Sequence, residues 1–262
     1  MTEPLDAATT IRFFEAEAAA LASLVATTDL AAAVPSCPGW TVSKLASHVG
    51  TVHRWAAAIV EAGSTVDPKS LDLGRPDREA GNEEWSRWLT AGATDLAELL
   101  RSVDPSATTW SWAAGEDGTN AWWIRRQLHE TAVHRIDAEL AAGNEDWTID
   151  PAVAVDAIDE HLANLAGSAA FSEGVANLVG TGERDGQSLH LHATDVDGEW
   201  MIQLTRSSFE ISHSHGKGTV AVRGAARDLL AVVTNRSNGT DRVEFFGDSE
   251  LLTWWRTNSA LG

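Results

Sequence analysis

Through most of the first half of the chain, apolar residues recur every three or four positions. That is the period of a helix burying one face. Ile11, Phe14, Ala18, Leu21 and Leu24 mark a first helix over 7–25. Pro35, Pro38 and Gly39 break the pattern. Thr41 stands where it can cap a second helix, which carries Leu45, Val49, Val52, Ala56 and Ile59 inward and stops at Gly63. After a loop rich in Pro, Asp and Gly, a third helix is predicted over 79–103, with Trp85, Trp88, Leu96 and Leu99 inward. The fourth runs from Ala121 to Ala142 without Gly or Pro and ends at Gly143. Four helices of this length predict an antiparallel four-helix bundle, an architecture that builds metal sites from side chains on facing helices.

The period changes near Asp146 to Pro151. Pro151 can open a further helix reaching about Gly167. Beyond it the alternation becomes two: Leu189, Leu191 and Ala193 alternate with His190, His192 and Thr194. Strands are also predicted at 200–204, 209–211, 219–223 and 242–246, with helices over 225–233 and 250–256. Strands in hairpin order with flanking helices predict a small α+β domain with a mainly antiparallel sheet. The expected fold class is α plus α+β, with a helical domain over 1–147 and the second domain over 148–262.

Composition narrows the partners. The 262 residues carry a formal net charge of −19. The acidity is spread evenly, with 11 basic and 22 acidic side chains in 1–148 and 8 and 16 in 149–262. Nucleic acid and anionic membranes are therefore poor partners, since both demand basic patches. Cys37 is the single cysteine, so a disulfide scaffold is excluded. Residues 1–6 lack the basic-then-apolar pattern of an export signal and no apolar run is long enough to span a bilayer, so the cytoplasm is expected. In that setting the glycosylation sequons at Asn235 and Asn238 carry little weight. Nine of the twelve tryptophans precede residue 150. Trp122, Trp123, Trp254 and Trp255 are expected in cores, with one of the first pair able to wall a cleft.

Candidate chemistry sits on the fourth helix. Glu130 and His134 are four residues apart and project within about 40° of each other. A carboxylate and an imidazole so placed form half of a metal site; the same spacing is commoner in a solvated surface pair. His48, on the second helix, would supply a third ligand and leave open the positions that mark catalytic metal sites. His129 and His134, like His48 and His53, are five apart, roughly 140° around a helix, and cannot easily share one ion.

The segment Val34-Pro-Ser-Cys-Pro-Gly-Trp-Thr-Val-Ser-Lys-Leu-Ala-Ser-His48-Val-Gly, with His129-Glu-Thr-Ala-Val-His-Arg-Ile-Asp-Ala-Glu139, resembles the mycothiol-dependent maleylpyruvate isomerase family. That resemblance implies a DinB-like metal-binding bundle followed by a domain similar to sterol carrier proteins, whose strand-to-helix turn falls here on Thr219 to Leu230. The family's metal ligands, a His on the second helix and a Glu and His on the fourth, fall on His48, Glu130 and His134. The same resemblance implies mycothiol as thiol cosubstrate.

Zinc on two imidazoles and a carboxylate is expected to activate the thiol, giving either a cis–trans isomerase or an S-transferase acting on a small electrophile. A diacid would need cations, for which Arg125, Arg126, Arg135 and Arg223 are candidates; each has an ordinary surface or ion-pair role as the commoner alternative. Arg126, Arg223 and Trp123 are the candidate contacts for the cofactor. Because no carboxylate-binding arginine stands out, a transferase is favoured over maleylpyruvate isomerase proper. A binding protein of the same fold and a metal hydrolase remain alternatives, and a monomer or homodimer is expected. Asp137 could orient His134, a surface carboxylate being the commoner reading. Cys37 is expected to pack in a loop. His190/His192 and His213/His215 are expected on exposed strand faces, with a second metal cluster as the rarer possibility.

Overall fold

The computed structural model describes residues 5–236 and 242–259. The sequon at Asn238, the serine completing the one at Asn235, and residues 1–4 lie outside them. The chain divides into two compact units, Leu5–Trp147 and Thr148–Gly262.

The first unit is built from four long helices: α1 (Ala7–Thr27), α2 (Val42–Ala62), α3 (Asn82–Ser102) and α4 (Asn120–Ala141). Local chemistry sets their ends. Asp6 caps α1 by accepting from the Thr9 amide, Thr41 caps α2 and Thr119 caps α4. Gly63 ends α2 in the left-handed conformation, φ 66°, which costs glycine little. The third helix starts three residues later than the periodicity predicts, at Asn82, with Gly81 as a cap that offers no side chain. α1 packs against α3 and α4, and α2 against the same two. Gly50 allows one of these contacts, because a Cβ there would stand 2.1 Å from the Trp88 ring. Arg54 closes over that ring at 4.2 Å and donates to the Trp88 carbonyl at 2.9 Å.

α4 departs from an amphipathic helix. It buries Ile124, Leu128, Ala132 and Ile136, but also Gln127, His129, Thr131, His134, Arg135 and Asp137. Buried polar groups are costly unless bonded, so a helix that buries this many must satisfy them with specific partners.

The second unit contains α5 (Pro151–Leu165), a short 3-10 turn over Ala166–Ala170, α6 (Glu173–Gly180), β1 (Ser188–Ala193), β2 (Glu199–Leu204), β3 (Phe209–Ser212), β4 (Val220–Gly224), α7 (Ala226–Val233), β5 (Val243–Gly247) and α8 (Ser249–Asn258). The periodicity missed α6, which buries little beyond Val175 and Leu178. The sheet order is β3-β2-β1-β4-β5. Three pairings are antiparallel, but β1 and β4 run parallel, so the sheet is mixed and hairpin order fails between β3 and β4. Burial explains this placement. β1 and β4 present Leu189, Leu191, Val220 and Val222 to the core and occupy the interior of the sheet. The half-exposed β3 and β5 take its edges. Trp255 is buried against Phe209, whereas Trp254 is half-exposed and donates to Glu183. Among the described residues, no helix is long and apolar enough to cross a membrane.

Because each unit has its own core, a fragment ending at Trp147 is expected to fold alone with an all-helical circular dichroism spectrum. A β contribution in that fragment, or failure to melt cooperatively, would show that the helices depend on the rest of the chain.

Candidate functional site

His48 is half-buried on the second turn of α2, and Glu130 and His134 lie one turn apart on α4. The fold brings all three together. His48 Nε2 lies 2.9 Å from Glu130 Oε1, and His134 Nε2 lies 3.3 Å from the same oxygen. One ligand atom from each residue lies within 4.8 Å of the others. Arg126, one turn earlier on α4, pairs with the second oxygen, Oε2. The solvated surface pair is not what forms, since Glu130 and His134 are mostly buried.

Asp137 is the clearest departure from the sequence reading. It is fully buried, not a surface carboxylate. Its Oδ2 lies 2.8 Å from His134 Nδ1, Ser36 donates to its Oδ1, and Cys37 Sγ stands 3.4 Å from Oδ2. A proton on Nδ1 shared with Asp137 leaves the Nε2 lone pair directed toward Glu130 and His48. Cys37, His134 and Asp137 also form a close group. An ion there would take Asp137 away from His134 Nδ1, whereas the His48, Glu130 and His134 set uses Nε2 and leaves Asp137 to orient the ring. Two imidazoles and one carboxylate with oxygen and nitrogen donors this close match the donor chemistry of zinc.

The electrostatics follow from burial. Desolvation pushes the Glu130 carboxyl up, but Arg126, His134 and the imidazole hydrogen bonds outweigh it and hold the group well below the usual range. For His134, desolvation pushes down, while Glu130 and Asp137 together raise it to about 9. His53 lies deeper. Its ring is buried, meets Phe14 edge-on and bonds Thr131 through Nε2 at 2.9 Å. Desolvation dominates there and lowers it to about 3.

Trp40 was not singled out by spacing. Its ring centroid lies 4.9 Å from that of His48 and stacks at 5.9 Å on His134, so it walls one side of the site. Only its position in the turn before Thr41 hinted at this. Gln127 was also missed. It shares the α4 face with Glu130 and His134, is fully buried, and leaves both amide atoms without a hydrogen-bond partner among the described residues.

The other candidates are placed as follows. Trp123 is 1% exposed, meets Trp55 and Trp122 edge-on and donates to the Trp110 carbonyl, so it is a core residue and not a cleft wall. Arg135 is buried and bonds Glu17 at 2.7 Å, which commits it to the helical core. Arg125 is half-buried on α4. Arg223 lies on β4 in the second unit and pairs with Glu244 at 3.3 Å.

Two family models match the chain, one described as the mycothiol maleylpyruvate isomerase N-terminal domain over residues 14–139 and one as the MDMPI C-terminal domain over 152–253. Among solved structures, the chain is similar to the mycothiol-dependent maleylpyruvate isomerase, at 14% identity and a TM-score of 0.60, covering 92% of this chain and 93% of that one. A histidine-to-alanine mutant of that isomerase matches at 13% identity and a TM-score of 0.58 over the same shares. At such identities the likeness is one of fold. Among curated proteins, none matches the chain by sequence.

Two measurements test this electrostatic picture. In metal-free protein the His134 proton competes with a divalent ion up to about pH 9, so zinc affinity should climb with pH to about 9. Asp137→Asn should weaken zinc binding by roughly 10–100-fold while leaving the fold intact; an unchanged affinity would remove Asp137 from the site. His53 makes a separate contribution to acid stability. Its folded pKa is below the ordinary 6.5, so the unfolded chain binds more protons as pH falls from about 6.5 toward about 3, and stability present above 6.5 is lost through that window. His53→Gln should flatten that acid limb by up to about 1.4 kcal/mol per pH unit, as read from urea melts.

Proposed function

Because the chain belongs to the mycothiol maleylpyruvate isomerase family, we propose that it is a mycothiol-dependent isomerase working at His48, Glu130 and His134. The helical unit is then a DinB-like four-helix bundle spanning residues 1–147, followed by the sterol-carrier-like α+β domain over 148–262. The observation that carries the reading is the convergence of two imidazole nitrogens on one Glu130 oxygen inside the family-matched region. A divalent metal, zinc by donor type, would be held by these three side chains and would favour the thiolate form of a thiol ligand at neutral pH.

The chain's own residues support that chemistry. Asp137 fixes the His134 ring and its tautomer through Nδ1. Arg126 holds the Glu130 oxygen that the imidazoles do not use. Trp40 shields His48 and His134 from water on one side. Gln127 carries the buried amide best placed on α4 to meet the polar part of a bound thiol, since leaving such a group unbonded costs about 1–3 kcal/mol. Addition of the thiol sulfur to one alkene carbon of a cis substrate turns the double bond into a single bond. Rotation follows, and departure of the sulfur restores the alkene in the trans form, so the thiol is not consumed. Cys37 takes no part in this scheme: it packs against Asp137.

One observation favours a second reading, an S-transferase acting on an uncharged electrophile. Arginines that might hold a diacid are already paired with carboxylates: Arg126 with Glu130, Arg135 with Glu17 and Arg223 with Glu244.

Activity on a cis-enedioate substrate is expected only with added mycothiol, with the thiol recovered unchanged by NMR. Stoichiometric thiol consumption would favour the transferase instead, and turnover without any thiol would overturn the thiol-dependent reading. Cys37→Ser should keep most of the activity, whereas His134→Ala should lose it together with stoichiometric metal.

A further inference from the structure

The second unit carries an imidazole cluster that the proposed activity does not use. His190 and His192 stand two apart on β1 and project from the face opposite Leu189 and Leu191. Glu199 on β2 is the direct cross-strand partner of His192. His215 belongs to the segment after β3, not to a strand as the alternation predicts, and that segment folds back toward β1 and β2. One ligand atom from each of His190, His192, Glu199 and His215 lies within 4.8 Å of all the others.

The contacts converge on one atom. Glu199 Oε1 is 2.5 Å from His192 Nδ1, 2.6 Å from His215 Nδ1 and 3.5 Å from His190 Nε2. An oxygen with two lone pairs serves the two nearer imidazoles and cannot also bond the third. His190 is the one left over. Its side chain is 8% exposed, and Nε2 is buried without a hydrogen-bond partner among the described residues while directed at the cluster. Burying an imidazole nitrogen in this way is costly in a purely structural network. It is the natural disposition of a metal ligand. Donors at metal bond lengths of about 2.0–2.1 Å in a tetrahedral site lie about 3.3 Å apart; the 3.5 Å between His190 and Glu199 is near that, and the two shorter hydrogen-bonded contacts would lengthen as an ion replaces the shared proton.

We propose that His190, His192, Glu199 and His215 form a second metal site, taking one zinc ion or a similar imidazole-preferring divalent transition metal. Three neutral imidazoles and one carboxylate suit zinc, copper and nickel, and a hard oxygen-seeking ion such as magnesium much less. Four protein ligands fill a tetrahedral shell, so the site is structural, not catalytic. Its effect is to clip the segment after β3 to the sheet through His215, whose side chain is 81% exposed and gives the ion a route in from solvent. The nearby His213 is not a ligand, because its Nδ1 bonds the Glu199 carbonyl and its Nε2 faces Asp159 at 3.4 Å. The chain's net charge of −19 favours cation uptake generally and so does not by itself discriminate for this site.

The site is independent of the one on α2 and α4, and the experiment keeps the two apart. Untagged full-length protein is stripped with a chelator, titrated with zinc at neutral pH, and the bound metal counted after gel filtration. Two ions per chain are expected. With the first site disabled by Glu130→Gln and His134→Ala, one ion should remain and should raise the melting temperature. In that background His215→Asn, an exposed change that leaves the sheet core untouched, should weaken zinc binding by more than the roughly 10–100-fold seen on loss of an outer-shell partner. His192→Asn should do the same. Cobalt in place of zinc should give tetrahedral visible bands that both variants lose. The proposal is overturned if the first-site variant binds no zinc, or if its bound zinc is unaffected by His215→Asn and His192→Asn. A single bound ion in the unmodified chain that disappears with Glu130→Gln and His134→Ala likewise overturns the proposal.

Discussion

A carboxylate buried among helices has to be neutralised, and Glu130 is the group around which the first unit is organised. Its environment supplies one guanidinium, from Arg126, and two imidazoles, from His48 and His134. Each of those is in turn held. Asp137 fixes His134, Trp40 packs on both imidazoles, and the loop before α2 contributes Ser36 and Cys37 to Asp137. The constraint therefore ties α2, α4 and the 36–40 loop into one construction. Removing either half of a buried charged pair leaves the other uncompensated, at a cost larger than the pair's own net worth.

This explains the odd character of α4. A helix chosen only to fill a core would place leucine and alanine where this one places Gln127, His134 and Asp137. Most of this polar face is satisfied by defined partners, and Gln127, both of whose amide atoms lack a hydrogen-bond partner among the described residues, faces the same side as the candidate ligands. Local stability is given up on this face, the pattern expected of a site that binds. The tryptophans supply part of the compensation. Trp55, Trp110, Trp122 and Trp123 form a run of edge-to-face contacts in the same unit, and such pairs add about 0.5–1.5 kcal/mol each beyond their buried area.

The second unit follows a different logic. Its apolar strands β1 and β4 are adjacent and central, and the alternation that buries Leu189 and Leu191 necessarily directs His190 and His192 to the other face. Cross-strand register then decides what they meet, since a slip of one residue would have turned Glu199 away from them.

Much of the helical unit was legible in the sequence, because a period of 3.6 with Thr and Gly at the ends encodes helix limits locally; α1, α2 and α4 fall within two or three residues of the predicted spans. The pairing of Glu130 with His134 was legible for the same reason: four residues on a helix is a distance. The β alternation likewise located the five strands found among the described residues. What lay beyond reach was anything set by long-range pairing. The parallel partnership of β1 with β4, the burial of Asp137 against Ser36 and Cys37, the core position of Trp123 and the commitment of Arg135 to Glu17 all join residues far apart in the chain. Nor does sequence spacing place His215 beside His190 and His192. Local periodicity specifies which way a side chain points along its own element. Only the packing of elements, driven by the need to bury apolar faces and satisfy buried charge at the same time, decides what it points at.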